Sequence, residues 1–371
     1  MKKIKQKFNN KKIVFLGLGI ENFSLLKFLL SKDINNSDIT VADPSESEQV
    51  VSRYALIRDL AQKKGFKNLK LRKGHDYDQD LEEFDIVLRS PGYPLFSRYL
   101  KKAKTKGVEI SSPMKVFFES CPTKNIIGVT GTKGKGTTSS LIHQILKRSG
   151  KRAFLGGNIG VAPFDFFDQL TKNSWVVLEL SSFQLEDMTM SPKIGVITNL
   201  YKEHLKAVDP QNPNYHKKLK DYWEAKLNIL KYQKSGDKAI VNDRFKLFVS
   251  SYSIPSKLLF FSKSDLETKM FGEHNQENIG AAERVARAIN IKRSVIESAV
   301  FDFRGLEHRL ELVKKDKQGI KYFNDSFATT PDATITALRS FENPIVLLAG
   351  GADKGSDFKK LAREIKKDAD Q

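Results

Sequence analysis

Residues 125–138 read NIIGVTGTKGKGTT, and their types and spacing could hold a nucleoside triphosphate. Gly131, Gly134 and Gly136 lack side chains, so their backbone N–H groups can approach phosphate oxygens. Lys135 would reach the outer phosphates. Thr137 would supply the hydroxyl for magnesium, because Gly136 takes the usual hydroxyl position of a G-x-x-x-x-G-K-[ST] loop. A tight glycine turn without a ligand is disfavoured by the apolar strand before it and the helix start after it, so the segment predicts a phosphate-binding loop.

Acidic residues follow the next two apolar stretches. WVVL at 175–178 leads directly to Glu179, and the stretch ending at Asn199 is followed by Glu203 and His204. Carboxyl ends of parallel strands meet at one sheet edge, where a carboxylate commonly holds magnesium or orients water. A helix-capping role for Glu179 and a structural role for His204 are the alternatives, and what favours chemistry is that both would share an edge with the phosphate loop.

Other candidates carry weaker signals. Asn275 and Asn278, in GEHNQEN, could contact adenine, but on the sequence alone a capping role at the helix start is favoured. Arg309, in GLEHRLEL, could close onto phosphates or form a surface salt bridge. Lys226, in YWEAKLNIL, has the spacing of an ordinary helix lysine.

The N-terminal region contains a weak dinucleotide-type pattern. Gly17-Leu18-Gly19 follows an apolar stretch and Asp43 ends the next one, but Asn22 replaces the third glycine of G-x-G-x-x-G. We therefore expect a Rossmann-like pocket for a nucleotide ribose, the pattern being too weak to assign NAD as its ligand, and a dehydrogenase is disfavoured.

These candidates need parallel sheets to position them. Apolar stretches alternate with helical patterns in a first unit, and in a second unit that begins near the phosphate loop and runs to about residue 304. A third unit reads strand, helix, strand, with helix 332–339 and a second strand in PIVLLAGG at 344–351. The sequence predicts an α/β protein, and we expect its third unit to be incomplete because the chain ends at residue 371.

Composition excludes several classes of protein. A length of 371 residues suggests two or three domains, and a single cysteine, Cys121, gives no internal disulfide, so the cytoplasm is expected. No apolar stretch approaches the roughly 20 residues that span a bilayer. The net charge of +19 comes from dispersed lysines without interleaved aromatic residues, so we expect a solvated basic surface and no nucleic-acid or membrane partner.

Taken in order, these segments resemble the Mur ligase family. The motifs that carry the resemblance are GLGIENFS, SPG, GVTGTKGKGTT, GGNIG, LELSSFQLE, TNLYKEHL, YWEAK, GEHNQEN, GLEHRLELV, YFNDSFATT and GGADKGSDF. ELSSFQLE followed by GEHNxxN is the most specific pair. Within the family, the motifs are most similar to those of members that add D-glutamate to UDP-N-acetylmuramoyl-L-alanine.

The resemblance implies three domains: a UDP-substrate domain at 1–118, a central ATP-binding P-loop domain at 119–304, and part of an amino-acid-binding, Rossmann-like domain at 305–371. It implies ATP and Mg²⁺ as cofactors, the two substrates just named as partners, and a monomer. By position, the UDP moiety would contact Ile20, Glu21, Asp43, Ser90, Gly92 and Asn158.

The resemblance also implies an ATP site and a metal site. The ATP phosphates would bind the loop Gly131, Thr132, Lys133, Gly134, Lys135, Gly136, Thr137 and Thr138, with Asn275, Asn278, Arg309 and Asp325 completing the site. One magnesium would be held by Thr137 and Glu179, and a second by His204 and a carbamylated Lys226; the catalytic set would be Lys135, Glu179, His204 and Lys226. His204, Thr329 and Lys354 would contact the substrates.

Two departures from the family pattern leave alternatives open. Gly136 gives a GKG[ST] loop more like that of folylpolyglutamate synthases, although the N-terminal unit disfavours that class. Phe327 stands where members that add D-glutamate commonly have a lysine, which leaves the added amino acid open. A nucleotide-binding module without catalysis is the third reading.

Overall fold

The computed structural model describes residues 1–32, 34, 37–203, 205, 213–342, 344–352 and 356–369. Two of the predicted site residues, His204 and Lys354, lie outside these ranges. In the described part of the chain, no helix is long and apolar enough to cross a membrane.

The first unit is a parallel sheet of order β3-β2-β1-β4-β5. Its strands are β1 Lys12–Leu16, β2 Asp38–Ala42, β3 Leu69–Arg72, β4 Ile86–Arg89 and β5 Glu109–Ser111. The strand order reverses between β1 and β4, since β2 and β4 both pair with β1 from opposite sides. Open α/β sheets bind ligands in the crevice beyond the carboxyl ends of strands at such a point.

Helices cover this sheet on both faces. They are α1 Lys2–Phe8, α2 Ile20–Ser31, α3 Glu48–Lys63, α4 Arg98–Thr105 and α5 Pro113–Ser120. Serines cap three of them: Ser47, Ser97 and Ser112 accept backbone N–H groups at the starts of α3, α4 and α5. Helix α2 starts directly after the Gly17-Leu18-Gly19 turn.

The second unit is a parallel sheet of order β11-β10-β9-β6-β8-β7. Its strands are β6 Ile126–Thr130, β7 Ala153–Gly157, β8 Trp175–Glu179, β9 Ile194–Ile197, β10 Lys238–Asn242 and β11 Lys257–Phe261. The strand before the phosphate loop, β6, is central and pairs with β8 and β9. The residues that follow those two strands therefore flank the loop.

The helices of the second unit are α6 Lys135–Arg148, α7 Ser182–Leu185, α8 Leu219–Lys231, α9 Lys246–Ser250, α10 His274–Ala288 and α11 Arg293–Asp302. Helix α6 begins at Lys135, directly after Gly134. Gly134 takes a left-handed conformation (φ 78°), which glycine adopts without steric cost, and turns the chain into the helix.

Two strands of the third unit, β12 Glu311–Lys315 and β13 Lys321–Asn324, form an antiparallel hairpin, followed by helices α12 Pro331–Leu338 and α13 Lys359–Ala369. The predicted strand at 344–351 is wrong for this structure, which has no strand in the described residues 344–352. Val346 and Leu348 are 91% and 93% exposed there. A strand needs a neighbouring strand for its N–H and C=O groups, and the described residues provide none.

The first two units share one apolar core. Phe28 of α2 contacts Phe164 and Phe167 of the second unit, with both pairs of ring centroids 5.1 Å apart. Phe117 of α5 contacts the same two rings at 6.0 and 5.8 Å. This aromatic cluster joins the units and brings the carboxyl ends of their sheets together.

Candidate active site

The phosphate loop between β6 and α6 depends on two close approaches. A Cβ atom on Gly131 would lie 1.9 Å from Thr198 Oγ1, and one on Gly134 would lie 2.1 Å from Asn278 Oδ1. Neither distance is compatible with a side chain, so both glycines are required by packing as well as by backbone conformation. The end of β9 therefore packs against one side of the loop, and α10 packs against the other.

Asn199, just beyond β9, holds the loop through hydrogen bonds to its backbone. Its Oδ1 accepts hydrogen bonds from the backbone N–H groups of Thr132 and Lys133, at 3.0 and 2.8 Å. Its Nδ2 donates to the Lys133 carbonyl at 3.1 Å, and Thr198 Oγ1 donates to the same carbonyl at 2.7 Å. The loop backbone is therefore fixed before any ligand contact is considered.

Two lysines, the half-buried Lys135 and the buried Lys226, lie beside this loop. Lys135 Nζ donates to the Thr132 carbonyl at 3.1 Å, and Lys226 Nζ, from α8, donates to the Gly131 carbonyl at 2.9 Å. Burial lowers the pKa of Lys135, while the charges of Glu179 and Glu203 act in the opposite direction. Burial and the neighbouring Lys135 charge hold the pKa of Lys226 well below its ordinary value. The Lys226 amine is thus far easier to deprotonate than a surface lysine.

Glu179 ends β8 at the same edge. Asn158 donates to its Oε1 at 2.8 Å through Nδ2, and the Asn158 backbone N–H donates to the Glu179 carbonyl at 2.9 Å. A Cβ on Gly136 would lie 3.1 Å from Glu179 Oε2, so this carboxylate faces the start of α6, where Thr137 is buried. A carboxylate and a hydroxyl are the hard oxygen donors that Mg²⁺ prefers. Within the described ranges, no group of three or more His, Cys, Asp and Glu side chains forms a ready metal cage.

The asparagine pair at the start of α10 is part of the same structure. Thr138 Oγ1 donates to Asn278 Oδ1 at 3.3 Å, and Asn278 Nδ2 donates to Asn275 Oδ1 at 2.9 Å. Asn275 Nδ2 donates to the Phe271 carbonyl at 2.6 Å. The pair therefore connects α10 to α6. The sequence alone favours a capping role, but neither asparagine caps α10 in the structure.

Arg309 lies in the loop that enters the third unit. Burial and the charges of Lys133 and Arg309 all lower the pKa of Lys135, which places Arg309 within electrostatic range of the phosphate loop. Leu306 of the same segment lies 3.1 Å from a Cβ position on Gly136. Asp325 Oδ1 accepts from the Leu310 backbone N–H at 3.0 Å, and burial raises the pKa of that carboxyl. Arg309 and Asp325 are thus adjacent.

A second site lies at the point where the strand order of the first sheet reverses. It is a cavity of about 190 Å³. Its lining comes from both units: Gly19, Ile20, Glu21, Asn22, Ser90, Pro91, Gly157, Asn158 and Gly160. The structure thus brings together four of the predicted UDP-contacting residues, namely Ile20, Glu21, Ser90 and Asn158.

Glu21 is the ionisable group of this cavity. It is 6% exposed, and Gln184 Nε2 donates to its Oε1. Burial raises the pKa of Glu21 to about 7, opposed by the Gln184 hydrogen bond and the Arg89 charge. Its Oε2 is buried, and no hydrogen-bond partner for it lies among the described residues. The cavity therefore presents an acceptor whose charge changes near neutral pH.

Three other predicted substrate residues lie elsewhere. Asp43 accepts backbone hydrogen bonds from Leu18 and Ser45, so it fixes the glycine turn beside the cavity and does not line it. Gly92 is next to the lining residue Pro91 without lining the cavity itself. Thr329 is exposed in the third unit.

Sequence reasoning missed residues that organise these sites. Asn199 was noted as a strand end and not as a candidate, although a polar residue at the carboxyl end of a strand neighbouring the phosphate loop is a usable signal. Gln184 lies within a recognised motif, but nothing in its spacing indicates a contact with Glu21. Arg89 precedes SPG, and only its burial, at 1% exposed, sets it apart.

Comparisons with known proteins agree along most of the chain. Residues 11–112 match the Mur ligase MurD-like N-terminal domain, residues 129–265 the Mur ligase middle domain, and residues 308–371 the Mur ligase glutamate ligase domain. Among curated relatives, the UDP-N-acetylmuramoylalanine--D-glutamate ligase of Clostridium kluyveri is 38% identical, covering 97% of this chain and 79% of the relative. The enzyme of the same name from Acetivibrio thermocellus is 35% identical over the same shares of each chain.

Solved structures show the same fold. UDP-N-acetylmuramate:L-alanyl-gamma-D-glutamyl-meso-diaminopimelate ligase of Neisseria meningitides has a TM-score of 0.54 at 15% identity, covering 80% of this chain and 99% of that one. UDP-N-acetylmuramate-alanine ligase of Thermotoga maritima has a TM-score of 0.52 at 22% identity, covering 89% of this chain and 77% of that one. The α/β, three-domain fold predicted from the sequence is confirmed.

Proposed function

This chain belongs to the Mur ligase family, and we propose that it adds D-glutamate to UDP-N-acetylmuramoyl-L-alanine in an ATP-dependent reaction of peptidoglycan precursor synthesis. The reaction forms an amide bond through an acyl phosphate. Its support in the comparisons is the similarity, over nearly the whole chain, to ligases named for D-glutamate. The match of residues 11–112 to a MurD-like domain disfavours the folylpolyglutamate-type reading.

One observation in the structure carries the proposal. Asn158 lines the cavity at the strand-order reversal and donates to Glu179, which faces the start of the phosphate-loop helix. The two candidate nucleotide sites therefore meet at a single side-chain pair. A substrate carboxylate that extends from the cavity would lie beside the outer phosphate of ATP. Transfer of a phosphoryl group from ATP to that carboxylate requires this arrangement.

The chemistry follows from these positions. The alanine carboxylate of the UDP substrate attacks the γ-phosphorus of ATP, ADP leaves, and an acyl phosphate forms. Lys135 and the N–H groups of the loop offset charge on the transferring group, and Arg309 is near enough to add to that field. The amine of D-glutamate then attacks the acyl carbon, and the tetrahedral intermediate expels phosphate and leaves the amide.

Magnesium fits the oxygen donors at this edge. We assign Thr137 and Glu179 to one ion, and Lys226, as a carbamate, with His204 to a second; His204 lies outside the described residues. The ions, when bound, neutralise phosphate charge. Glu179 is oriented by Asn158, which leaves its Oε2 toward the start of α6.

Lys226 is suited to carbamate formation because its pKa is held well below the ordinary value. A neutral amine adds to the carbon of CO₂ and loses one proton, which gives an anionic oxygen ligand. The same burial that makes a cationic lysine costly keeps the amine neutral and able to react, and bound magnesium would offset the charge of the carbamate. Mass spectrometry would not retain a labile carbamate, so the test is activity of Lys226→Ala with and without added short carboxylic acids.

Phe327 bears on which amino acid is added, because it stands where ligases that add D-glutamate commonly have a lysine. Its ring is 62% exposed and lies 5.3 Å from Arg309 Cζ. The similarity to D-glutamate ligases supports D-glutamate in spite of this departure. We further propose that the enzyme acts as a monomer in the cytoplasm; light scattering on the purified protein tests the monomer.

The test is phosphate release from ATP by the purified chain with UDP-N-acetylmuramoyl-L-alanine, comparing D-glutamate with L-glutamate and a panel of other amino acids. We expect phosphate release with D-glutamate alone. Lys135→Met should abolish this release, whereas Lys147→Met, which changes an exposed lysine of the same helix, should retain it. Release with a different amino acid would overturn D-glutamate as the substrate. ATP and UDP binding without any release would leave a nucleotide-binding module and reject the ligase.

A further inference from the structure

Arg89 is the last residue of β4 and is 1% exposed, although it carries a charge. It directly precedes Ser90 and Pro91, which line the cavity. A buried guanidinium needs partners for its donors, and these partners reveal what it holds. They fall on two sides.

On the side of the cavity, Arg89 holds the backbone of the loop that follows it. Nη1 donates to the Tyr93 carbonyl at 2.8 Å and lies 3.4 Å from the carbonyl oxygens of Ser90 and Pro91. These contacts fold the loop around the guanidinium. The orientation of the Ser90 and Pro91 lining therefore depends on Arg89.

On the other side, Arg89 holds helix α7, which starts three residues after Glu179. Nη2 donates to the Phe183 carbonyl at 3.0 Å and to Asp187 Oδ1 at 3.2 Å. Nη1 is 2.9 Å from Glu186 Oε1. The same side chain thus contacts the cavity loop of the first unit and the segment of the second unit that follows Glu179.

Asn214 completes this arrangement. Its Nδ2 donates to the Pro91 carbonyl at 2.8 Å and to Glu186 Oε1 at 3.0 Å. Arg89, Glu186 and Asn214 therefore form a closed set of contacts around the Pro91 carbonyl. Only a planar group with several donors in fixed directions can satisfy the carbonyls and both carboxylates together, and lysine cannot replace it.

We propose that Arg89 is a positioning residue that sets the cavity loop against the Glu179 segment, so that the UDP substrate is held in register with the phosphate loop. This inference rests on the proposed function for its substrate. The competing explanation is an ion pair that stabilises the contact between units without affecting substrate binding.

Lys115 provides the matched control. It comes from α5 of the first unit and pairs with Asp187 Oδ2 at 2.8 Å, so it joins the same two units through one of the same carboxylates. It donates to the Ile110 carbonyl at 3.4 Å, and within the described part of the chain it makes no hydrogen bond to the carbonyls of the cavity loop. Lys115→Met therefore weakens the contact between units and leaves the loop alone.

The experiment compares wild type with Arg89→Lys and Lys115→Met. The triple variant Arg89→Met, Glu186→Gln, Asp187→Asn is added, should Arg89→Lys fail to fold, because it removes the guanidinium together with the two negative charges that it pairs. Since Asp187→Asn also removes the partner of Lys115, the effect of the triple variant is judged against that of Lys115→Met. Calorimetric titration with UDP gives affinity without turnover, and steady-state assays give KM for the UDP substrate and for ATP separately. Thermal unfolding of each variant reports stability.

We expect Arg89→Lys and the triple variant to weaken UDP binding and to raise KM for the UDP substrate at least tenfold, with KM for ATP changed less than twofold. Lys115→Met should lower the unfolding temperature with both KM values unchanged. Equal changes in Arg89→Lys and Lys115→Met, or unchanged UDP affinity in folded Arg89 variants, would overturn the inference. UDP binding that depends on Arg89 in a protein without ligase activity would support the positioning role and reject only the proposed reaction.

Discussion

Thr137 becomes the candidate hydroxyl ligand for magnesium because Gly136 replaces the Ser or Thr that usually follows the lysine of the phosphate loop. The usual hydroxyl position is a glycine here, and a Cβ at that position would lie 3.1 Å from Glu179 Oε2. In the proposed magnesium site, the hydroxyl that accompanies Glu179 would come from the next residue, at the first turn of α6. The proposed site would keep a carboxylate and a hydroxyl but take the hydroxyl from a different position in the loop.

Replacing Thr137 with valine keeps its volume and removes the hydroxyl. We expect kcat to fall by about 100-fold, the order of magnitude for one lost polar contact to the reacting group, with the unfolding temperature little changed. Adding Gly136→Ser should recover part of the activity, because its hydroxyl would stand beside Glu179. Full activity of Thr137→Val in steady-state assays would show that this hydroxyl has no metal role.

Two carboxylates, those of the buried Glu21 and the largely buried Glu186, should make stability depend on pH. Burial raises the pKa values of Glu21 and Glu186 to about 7 each, above the ordinary value of 4.5. The folded state therefore holds more protons than the unfolded state between these values, so the free energy of unfolding should fall as pH rises from about 5 to 7. Urea unfolding at several pH values measures this slope.

The variant Glu21→Gln isolates one of the two groups. Its free energy of unfolding should fall less steeply over the same pH range, and Glu186 should account for the slope that remains. The same slope in wild type and Glu21→Gln would mean that Glu21 titrates at its ordinary value.

At the scale of elements, the strand–loop–helix segment from β6 to α6 is fixed by what approaches its glycines. Gly134 and Gly150 share a φ of 78°, but a Cβ meets Asn278 Oδ1 at 2.1 Å at the first and nothing within 4 Å at the second. The first glycine lies at the N-terminus of α6 and the second just beyond its end. Comparing Gly134 with Gly150 therefore separates the effect of backbone conformation from that of a steric clash.

Gly134→Ala should therefore abolish measurable ATP binding, because the new methyl group displaces Asn278 and with it the contact between α10 and α6. Gly150→Ala should cost about 1 kcal/mol of stability from its backbone conformation alone and leave ATP affinity unchanged. Titration with a non-hydrolysable ATP analogue and denaturant unfolding measure the two effects. Equal ATP affinities in the two variants would contradict this account of the loop.

At the scale of the whole molecule, the active site depends on how the first two units meet. The aromatic cluster around Phe28 and the polar contacts of Arg89 both cross the contact between the units. The first supplies apolar burial, and the second fixes orientation. Because the cavity takes its lining from both units, it exists only in this arrangement.

Phe28→Ala should lower the free energy of unfolding by about 3–5 kcal/mol, since it removes a ring that is 5% exposed. KM for the UDP substrate should also rise, because the cavity needs both units in place. Leu56→Ala, at a residue that is 60% exposed in the first unit, is the control and should change neither quantity. A Phe28 variant as stable as wild type would show that this cluster does not hold the units together.

Much of the protein could be predicted from local pattern. The phosphate loop, the order of motifs and several strands of the first two units, among them β1, β2, β6, β8 and β9, are encoded in contiguous residues, because glycine spacing and apolar stretches act over short distances. The strand predicted at 344–351 is where this failed: Val346 and Leu348 have the right residue type, but pairing depends on a neighbour that the described chain does not place there.

The sequence by itself determined the family, the fold class and the residues that could contact phosphates. The tertiary structure alone decided that Asn158 joins the cavity to Glu179, that Asn199 carries the phosphate loop, and that Arg89 links the two units. Each of these contacts joins residues far apart in the chain. Their meeting depends on strand order and on the packing of two sheets, which no single segment encodes.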